Sequence, residues 1–387
     1  MQSWAMEYKR LGEYIEPVDE RNSKLEIKLS QGICNEKYFQ DPRQVAENSA
    51  ADKIVRRGYF AYNRATTRNG EKISIAYREG PDCTVSSAYQ VFRIKDEEKL
   101  NPKYLLMWYK RPDFDKYARF RSHGSAHEFF EYEEMCDVRI PLPSIERQRE
   151  IVSEYETLTN RIRLNNQMIQ HLEATAQALY RKTFVDNIDK ENLPEGWRIG
   201  TIGDLGEIIG GATPSTEVAE YWSDNDITWL SPADLSKQGV KFIAKGAKDI
   251  TLLGFKSCST KMLPEHSILF SSRAPIGLMA INTCAVCTNQ GFKSLAPNSE
   301  IGYPYAYYYL LSLRDKIAEE NAGSTFDEVS GKTMKEYEAI IPPRELTDKF
   351  TALATPIFKQ QELKEQENSK LSELQSLLLA KIGNLKQ

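Results

Sequence analysis

The sequence has no long apolar run and few cysteines. No stretch of its 387 residues approaches the roughly 18 consecutive apolar side chains that a membrane-spanning helix requires. The first residues, 1–7, lack the basic and then apolar order of a signal peptide. The six cysteines are scattered and do not form the dense pattern of a disulfide framework. These absences predict a cytoplasmic chain of two or three domains with reduced thiols.

Motifs for catalysis and metal binding are incomplete. Gly331-Lys332-Thr333 resembles the end of a phosphate-binding loop, but the glycine required five positions before Gly331 is Phe326. Cys284 and Cys287 have the spacing of a zinc-binding pair, yet no second pair follows at a suitable distance. No Asn-Pro-Pro-Tyr or Asp-Pro-Pro-Tyr motif marks a base methyltransferase. The sequence therefore predicts no active site and no metal site of its own.

Two further candidates for chemistry are weak. His123 and His127 lie four positions apart, but Gly124 falls between them in a predicted loop. Polar contacts or ordinary packing explain these histidines better than a metal site. Asp113 and Asp115 resemble a nuclease carboxylate cluster, but they lie in a patterned helix without an acidic partner segment.

What the sequence does contain is an internal repeat. Gly124-Ser125 recurs as Gly323-Ser324, and Leu142-Pro143 recurs as Ile341-Pro342, in both cases 199 residues later. Shorter matches upstream have slightly different offsets, so each copy carries its own insertions. A duplication of this size predicts two similar domains with an approximate two-fold relation inside one polypeptide.

Residue patterns divide the chain into four segments. Residues 1–143 and 193–343 mix short alternating runs, typical of strands, with turns and shorter helices. Residues 144–192 and 344–387 each contain the pattern of one long helix. The predicted fold class is therefore α+β, with two mixed domains separated by two long helices. Within the first domain, one helix is predicted from residue 100 to about 117.

The first long helix, predicted over residues 146–183, carries a heptad stripe. Its members step by four and three, and all but one are apolar: Ile151, Tyr155, Leu158, Ile162, Asn165, Ile169, Leu172, Ala176 and Leu179. At 1.5 Å per residue the helix would be roughly 57 Å long. Ser144 is the predicted cap at its start.

The second long helix carries a similar stripe with polar interruptions. One heptad frame contains Leu346, Phe350, Leu353, Ile357, Leu371, Leu374 and Leu378, interrupted by Gln360, Lys364 and Glu367. Because neither helix can bury its own stripe, we expect the two to pack as an antiparallel pair. The alternative is that each helix packs on its own domain.

Positive charge is concentrated in three segments although the net charge is −4. Residues 53–78 contain seven basic residues against one acidic residue, residues 103–121 contain six against two, and residues 237–256 contain five against one. Tyrosine and tryptophan are interleaved with these cations in the first two segments. This combination favours a surface that follows the phosphates of a nucleic acid. The alternative is a solvated face that binds nothing.

In their order along the chain, several runs resemble the DNA-specificity (S) subunit of Type I restriction–modification systems. The second half holds the clearer matches: Leu193-Pro194-Glu195-Gly196-Trp197, the run 205–214 with Gly210-Gly211, Phe270-Ser271-Ser272-Arg273-Ala274-Pro275-Ile276-Gly277, and Asn289-Gln290-Gly291-Phe292-Lys293. The first half contributes residues 62–70 and 85–87, and both halves end in a proline-containing exit before a long helix. The resemblance covers essentially the whole chain.

The resemblance implies two target recognition domains, each reading one half of a split DNA sequence, with the antiparallel helices fixing the gap. It also implies that this subunit is not an enzyme and binds no cofactor itself. Methylation would belong to two partner modification subunits that use S-adenosylmethionine. Cleavage would belong to partner restriction subunits that use ATP and Mg²⁺.

The residues predicted to contact double-stranded DNA are polar or basic side chains of the matched runs. In the first domain they are Arg64, Thr67, Arg68, Asn69, Lys72, His123 and Ser125, and in the second Ser272, Arg273, Asn289, Gln290, Lys293 and Ser324. Side chains of these types read base edges and hold phosphates, but they also cap turns without touching DNA. Two alternatives remain open: a coiled-coil scaffold whose domains bind protein, and a methyltransferase in its own right.

Overall fold

The computed structural model consists of two compact units that both mix helix and sheet. The first comprises residues 1–162 and 370–387, and the second comprises residues 163–369. The structure describes residues 8–42, 49–66, 72–123, 128–186, 188–189, 191–273, 275–321 and 328–383. Within these ranges, no helix combines the length and the apolar character needed to cross a membrane.

The described part of the first unit contains ten short strands, three short α-helices, the beginning of the first long helix and the end of the second. In chain order these are β1 (Tyr8–Arg10), β2 (Ile15–Val18), β3 (Gly32–Ile33), β4 (Phe39–Gln40), β5 (Lys53–Val55), β6 (Phe60–Asn63), β7 (Ile75–Tyr77), β8 (Cys83–Val85), β9 (Tyr89–Ile94), α1 (Pro102–Tyr109), α2 (Pro112–Phe120), α3 (Tyr132–Cys136), β10 (Arg139–Pro141) and α4 (Ile145–Phe184).

The second unit contains the rest of α4 and most of the second long helix, α10. Its other elements are β11 (Arg198–Thr201), α5 (Ile202–Leu205), β12 (Gly206–Gly210), β13 (Trp222–Ser223), β14 (Ile227–Leu230), α6 (Pro232–Gln238), β15 (Phe242–Ile243), β16 (Lys248–Ile250), α7 (Leu252–Ser257), β17 (Ile268–Phe270), β18 (Met279–Asn282), β19 (Cys287–Thr288), β20 (Lys293–Pro297), α8 (Tyr303–Asn321), α9 (Gly331–Glu336) and β21 (Glu338–Ile341), followed by α10 (Arg344–Gly383).

The main sheets of the two units share one strand order. In the first unit the order is β2-β9-β6-β7, and in the second it is β12-β20-β17-β18, extended by β15 at the edge. All pairs are antiparallel except β15 with β18. The repeat in the sequence is therefore a repeat of the fold. The smaller sheets differ, because β5 pairs with β8 antiparallel whereas β14 pairs with β19 parallel.

A two-stranded pair joins the start and the end of each domain. Strand β1 pairs antiparallel with β10, with Tyr8 opposite Pro141. Strand β11 pairs in the same way with β21, with Arg198 opposite Ile341. In both units the second strand of the pair ends just before a long helix begins.

The long helices contribute directly to the core of the second unit. Tyr180 and Phe184 of α4 and Phe350 of α10 are buried with Tyr305 of α8 in one apolar cluster. The rings of Phe184 and Phe350 meet edge to face at 5.1 Å. Burying each of these side chains contributes about 1.5–3 kcal/mol. The alternative packing considered from the sequence, helix on domain, therefore occurs together with helix on helix.

The heptad stripe of the first long helix is confirmed. The helix spans residues 145–184, and every stripe position is buried or half-buried. The side chain of Ser144 accepts a hydrogen bond from the backbone of Arg147 at 3.3 Å, as expected for a cap. Asn165 is only 3 % exposed, and its Nδ2 donates to Oδ1 of Asn368 on α10 at 3.0 Å.

The predicted stripe of the second long helix is correct at five of its seven apolar positions and wrong at two, Leu353 and Leu374. Leu353 and Leu374 are 58 % and 49 % exposed, whereas the residues that follow them, Ala354 and Gln375, are buried and half-buried. Gln361 donates to Glu173 of α4 at 2.8 Å, and Gln375 donates to Thr159 at 2.7 Å. The buried face of α10 contains polar side chains because polar side chains of α4 lie opposite them. The spacing of apolar residues in the sequence cannot show this pairing. In the second unit, residue numbers rise along α4 as they fall along α10, because Asn165 contacts Asn368 and Glu173 contacts Gln361, so the two helices run antiparallel there.

The helix predicted over residues 100–117 is two helices, α1 and α2. Arg111, which separates them, has an extended backbone with φ −74° and ψ 136°. Pro112 follows it, and proline disfavours the helical conformation in the residue before it. The break positions Asp115 of α2 against Lys37, whose Nζ donates to Oδ1 of Asp115 at 2.5 Å and to the carbonyl of Ile73 at 3.1 Å. Burial lowers the pKa of Lys37, while Asp115 opposes that shift.

Replacement of Asp115 by alanine should destabilise the first unit. The change leaves Lys37 buried without its carboxylate, which typically costs about 3–5 kcal/mol. The expected result is a loss of about that size in the free energy of unfolding, measured by urea denaturation. Glu98→Ala, which removes an exposed ion pair with Arg149, is the control and should cost less than about 1 kcal/mol. Equal effects of the two changes would contradict this account.

Replacement of Asn165 by leucine should loosen the register of the helix pair. A single buried asparagine in an apolar stripe fixes register and association state, because other alignments leave its amide unpaired. We expect Asn165→Leu to add higher oligomers to the population, measured by sedimentation velocity. Asn160→Leu, at an exposed position of the same helix, should leave the distribution as in the unaltered protein. A single unchanged species for Asn165→Leu would show that Asn165 does not set register.

Candidate DNA-binding interface

Five predicted residues of the second domain lie together at one end of its main sheet. They come from the segment after β17, from the turn between β19 and β20, and from the first position of β20: Ser272, Arg273, Asn289, Gln290 and Lys293. Backbone hydrogen bonds connect these segments to a third one that precedes α9. The amide of Ser272 donates to Gly291 at 2.8 Å, and the amide of Val329 donates to Ser272 at 3.0 Å.

One carboxylate, that of Glu328, lies at the centre of this group. Nζ of Lys293 donates to it at 3.0 Å, and Nη1 of Arg273 forms an ion pair with it at 3.6 Å. The hydroxyl of Ser272 donates to the same carboxylate at 3.5 Å. The side chains of Lys293, Glu328 and Arg273 are 18 %, 32 % and 39 % exposed, so a ligand at the surface can reach all three.

Asn289 and Gln290 are held by the turn that contains them. The Oδ1 atom of Asn289 accepts a hydrogen bond from the amide of Gly291 at 2.8 Å, and its own amide donates to Leu230 at 2.9 Å. The hydroxyl of Thr213 donates to Oε1 of Gln290. Asn289 therefore shapes this turn, which is the structural role that asparagine often has in loops. These bonds use its Oδ1 atom and its backbone amide, so the side-chain nitrogen, Nδ2, is still available to a ligand.

Gly211 allows the chain to pass close to this turn. A Cβ atom at Gly211 would lie 2.1 Å from the carbonyl oxygen of Thr288 and 2.3 Å from that of Asn289, both backbone atoms. Neither Gly211 nor Glu328 was among the predicted site residues. The Gly210-Gly211 pair was a visible signal for the first, whereas no local pattern marks the second.

Two predicted residues of the first domain, Arg64 and His123, lie beside a corresponding segment, residues 128–131. The amide of Phe130 donates to the carbonyl of Arg64 at 2.9 Å, and Nη1 of Arg64 contacts Glu131 at 3.1 Å. His123 pairs with Phe129 through the backbone, and its side chain, 72 % exposed, lies 3.6 Å from Glu134. Arg64 and His123 therefore flank the same segment.

The remaining predicted residues divide into two groups. Lys72 is exposed and lies just before β7. Five others lie outside the described residues: Thr67, Arg68, Asn69, Ser125 and Ser324.

Many cations of the three basic segments are paired with acidic side chains from elsewhere in the chain. Arg56 contacts Glu20 and Asp82, and Lys241 contacts Glu173. Further pairs are Lys53 with Asp19, Arg119 with Glu128, and Arg121 with Glu134. The charge counted along a segment therefore overstates the positive charge that the folded segment presents.

The motifs that suggested other chemistry have structural roles. The Cys284 thiol donates to the carbonyl of Ala244 at 3.4 Å, and the Cys287 sulfur packs 3.9 Å from that of Met262. Gly331-Lys332-Thr333 forms the first turn of α9, with Ser330 as its cap. Across the described ranges, no group of three His, Cys, Asp or Glu side chains could hold a metal ion.

Both halves of the chain match the model of one protein family. The model of the Type I restriction modification DNA specificity domain matches residues 50–174 and again residues 194–373. The chain belongs to this family. The two matches fall one in each half of the chain, and the specificity-domain family therefore accounts for the repeat.

Curated relatives carry the same designation. The chain is 35 % identical to the Type I restriction enzyme MjaIX specificity subunit of Methanocaldococcus jannaschii over 188 residues, which cover 48 % of this chain and 43 % of that relative. It is 22 % identical to the Type I restriction enzyme HindI specificity subunit of Haemophilus influenzae over 406 residues, covering 86 % and 87 % of the two chains. The more similar match thus spans less than half of the relative's length.

A solved structure of the specificity-domain family shares the fold. The crystal structure of the Type I restriction–modification system S subunit from M. genitalium superposes with a TM-score of 0.66 and 14 % identity, covering 99 % of this chain and 97 % of that one. Together with the long helices described above, this similarity confirms the predicted fold class.

Replacement of Gly211 by alanine should displace the turn that carries Asn289 and Gln290. The new Cβ would overlap two backbone oxygens that cannot move independently, and such overpacking costs about 1–3 kcal/mol. We expect a lower unfolding temperature in a thermal melt. The neighbouring Gly210→Ala is the matched control, because its Cβ would meet nothing closer than 3.8 Å. Equal melting temperatures for the two variants would refute the proposed close approach.

Proposed function

We propose that this chain is the DNA-reading subunit of a Type I restriction–modification assembly and that each of its two domains reads one half of a bipartite site. The recognition domains would comprise residues 1–143 and 193–343, each followed by a helical arm, 144–192 and 344–387. The supporting observation is a backbone hydrogen bond that occurs at the corresponding place in both domains, between a residue just after a strand of the main sheet and a distant segment. The carbonyl of Arg64 accepts from Phe130 at 2.9 Å, as that of Ser272 accepts from Val329 at 3.0 Å.

The side chains on this shared construction differ between the two domains. In one domain Arg64 and His123 lie beside residues 129–131, and in the other Arg273 and Lys293 contact Glu328 while Gln290 lies in a neighbouring turn. Arginine and lysine pair with the O6 and N7 acceptors of guanine, and asparagine and glutamine pair with adenine. Different side chains at the two sites would therefore read different half-sites, while cations on phosphates supply affinity and register.

The long helices would set the distance between the half-sites. Half-sites on one face of a duplex are about 34 Å apart per helical turn, and helices of 40 residues each are about 60 Å long. We assign no catalytic step to this chain. Two modification subunits with S-adenosylmethionine would methylate the site, and restriction subunits with ATP and Mg²⁺ would cleave DNA. The assembly would act in the cytoplasm, where the DNA is.

Alanine at Arg64 or Arg273 should weaken binding to the cognate site. Loss of an arginine contact to a base typically costs about 1–3 kcal/mol, so the dissociation constant should rise about tenfold or more. The measurement is fluorescence anisotropy with the full chain assembled with its modification subunits. The duplex would carry the site found by mapping methylated adenines in the host genome.

Arg344→Ala is the control for this experiment. Arg344 is exposed and pairs with Glu300, and it contacts none of those predicted DNA-binding residues that the structure describes. Its replacement should leave the dissociation constant unchanged. Unchanged affinity for both Arg64→Ala and Arg273→Ala at moderate salt would overturn the assignment. An assembly that binds all duplexes equally would instead support a protein-binding scaffold.

A further inference from the structure

An acidic side chain lies among the cations at each of the two candidate DNA-binding sites. In the second domain Glu328 contacts Lys293 at 3.0 Å and Arg273 at 3.6 Å. In the first domain Glu131 contacts Arg64 at 3.1 Å. A carboxylate repels the phosphates that a DNA-binding surface must approach. Its presence at both sites therefore needs an explanation in terms of binding.

We propose that Glu328 is a specificity-determining residue that keeps Arg273 and Lys293 from binding the phosphates of non-cognate DNA. This inference rests on the proposed function and adds to it the means by which the second domain rejects wrong sequences. Glu131 has the same role toward Arg64 in the first domain.

The charge balance at Glu328 supports this role. Two cations share one anion, so a phosphate that approaches either cation also approaches the carboxylate. The three side chains are only partly exposed, and charges in such positions interact more strongly than charges in bulk water. A phosphate therefore gains less from Arg273 and Lys293 than it would from two unpaired cations.

A base edge can form hydrogen bonds with the carboxylate of Glu328 as well as with the two cations, whereas a phosphate can bond only to the cations. Phosphate oxygens only accept hydrogen bonds, whereas cytosine N4 and adenine N6 donate them in the major groove. A carboxylate can accept from those amino groups while the neighbouring cations donate to acceptors such as guanine O6 and N7. The Glu328 group thus combines donors and acceptors and is complementary to bases rather than to the DNA backbone.

The position of Glu328 is fixed by its neighbours in the chain. The next residue, Val329, is fully buried, and its amide donates to the carbonyl of Ser272 at 3.0 Å. The hydroxyl of Ser272 lies 3.5 Å from the carboxylate. The backbone bond at Val329 therefore holds Glu328 beside Ser272.

The test compares three duplexes with the full chain assembled with its modification subunits. One duplex carries the mapped site, and the other two carry it with either the first or the second half scrambled. Glu328→Gln should tighten binding to one of the scrambled duplexes about tenfold at low salt and steepen the slope of log K against log salt by about one. The mapped site should gain less, so discrimination should fall at one half-site only.

Matched variants separate this role from a general effect of charge or folding. Glu300→Gln removes an exposed carboxylate paired with Arg344 and should change neither affinity nor slope. Glu131→Gln should reduce discrimination at the other half-site. In a protein that already carries Lys293→Gln and Arg273→Gln, adding Glu328→Gln should no longer tighten non-cognate binding.

Two results would overturn the proposal. The first is Glu328→Gln with unchanged affinity and slope on both scrambled duplexes. The second is an equal loss of affinity for all three duplexes, which would indicate that Glu328 only supports the local fold. Failure of the proposed function looks different, because the unaltered assembly would then bind the three duplexes equally.

Discussion

A single buried lysine fixes the second domain to both long helices. Lys241, just before β15, donates to Glu173 of α4 at 2.7 Å and to Gln361 of α10 at 3.3 Å, and its Nζ lies 3.6 Å from the centre of the Phe358 ring. Glu365 of α10 accepts from the Lys241 amide at 3.1 Å. Burial lowers the pKa of Lys241 to about 8 and raises the pKa of Glu365. The lysine remains a cation at neutral pH, and the sheet that carries the candidate site is positioned by that ion pair.

The helices show which part of this arrangement a sequence can predict. Apolar spacing was sufficient for α4, because its stripe from Ile151 to Leu179 is apolar except at Asn165. It was only partly sufficient for α10, where Leu353 and Leu374 are exposed and Gln361 and Gln375 contact α4 instead. Apolar burial depends on the side chain itself and leaves a periodic signal. A buried polar side chain depends on a partner about 200 positions away, and that partner is known only in the folded chain.

The candidate site divides in the same way. Ser272, Arg273 and Lys293 were predicted from short runs whose order is repeated along the chain, and they do lie together. Glu328 was not predicted, because no local pattern in the sequence marks it. It lies 35 positions from Lys293 in sequence, and only the fold joins them. The positive charge of the basic segments was overestimated for the same reason, because their acidic partners also lie far away in the sequence.

The strand pairs that join the start and end of each domain have a consequence for inheritance. Because Tyr8 lies opposite Pro141 and Arg198 lies opposite Ile341, the chain enters and leaves each domain at one place, immediately before a helix. The intervening segment can lengthen, shorten or be exchanged as a block by recombination while the helix still begins at the same point. Under the proposed function, a new target would thus arise in one step while the long helices are preserved.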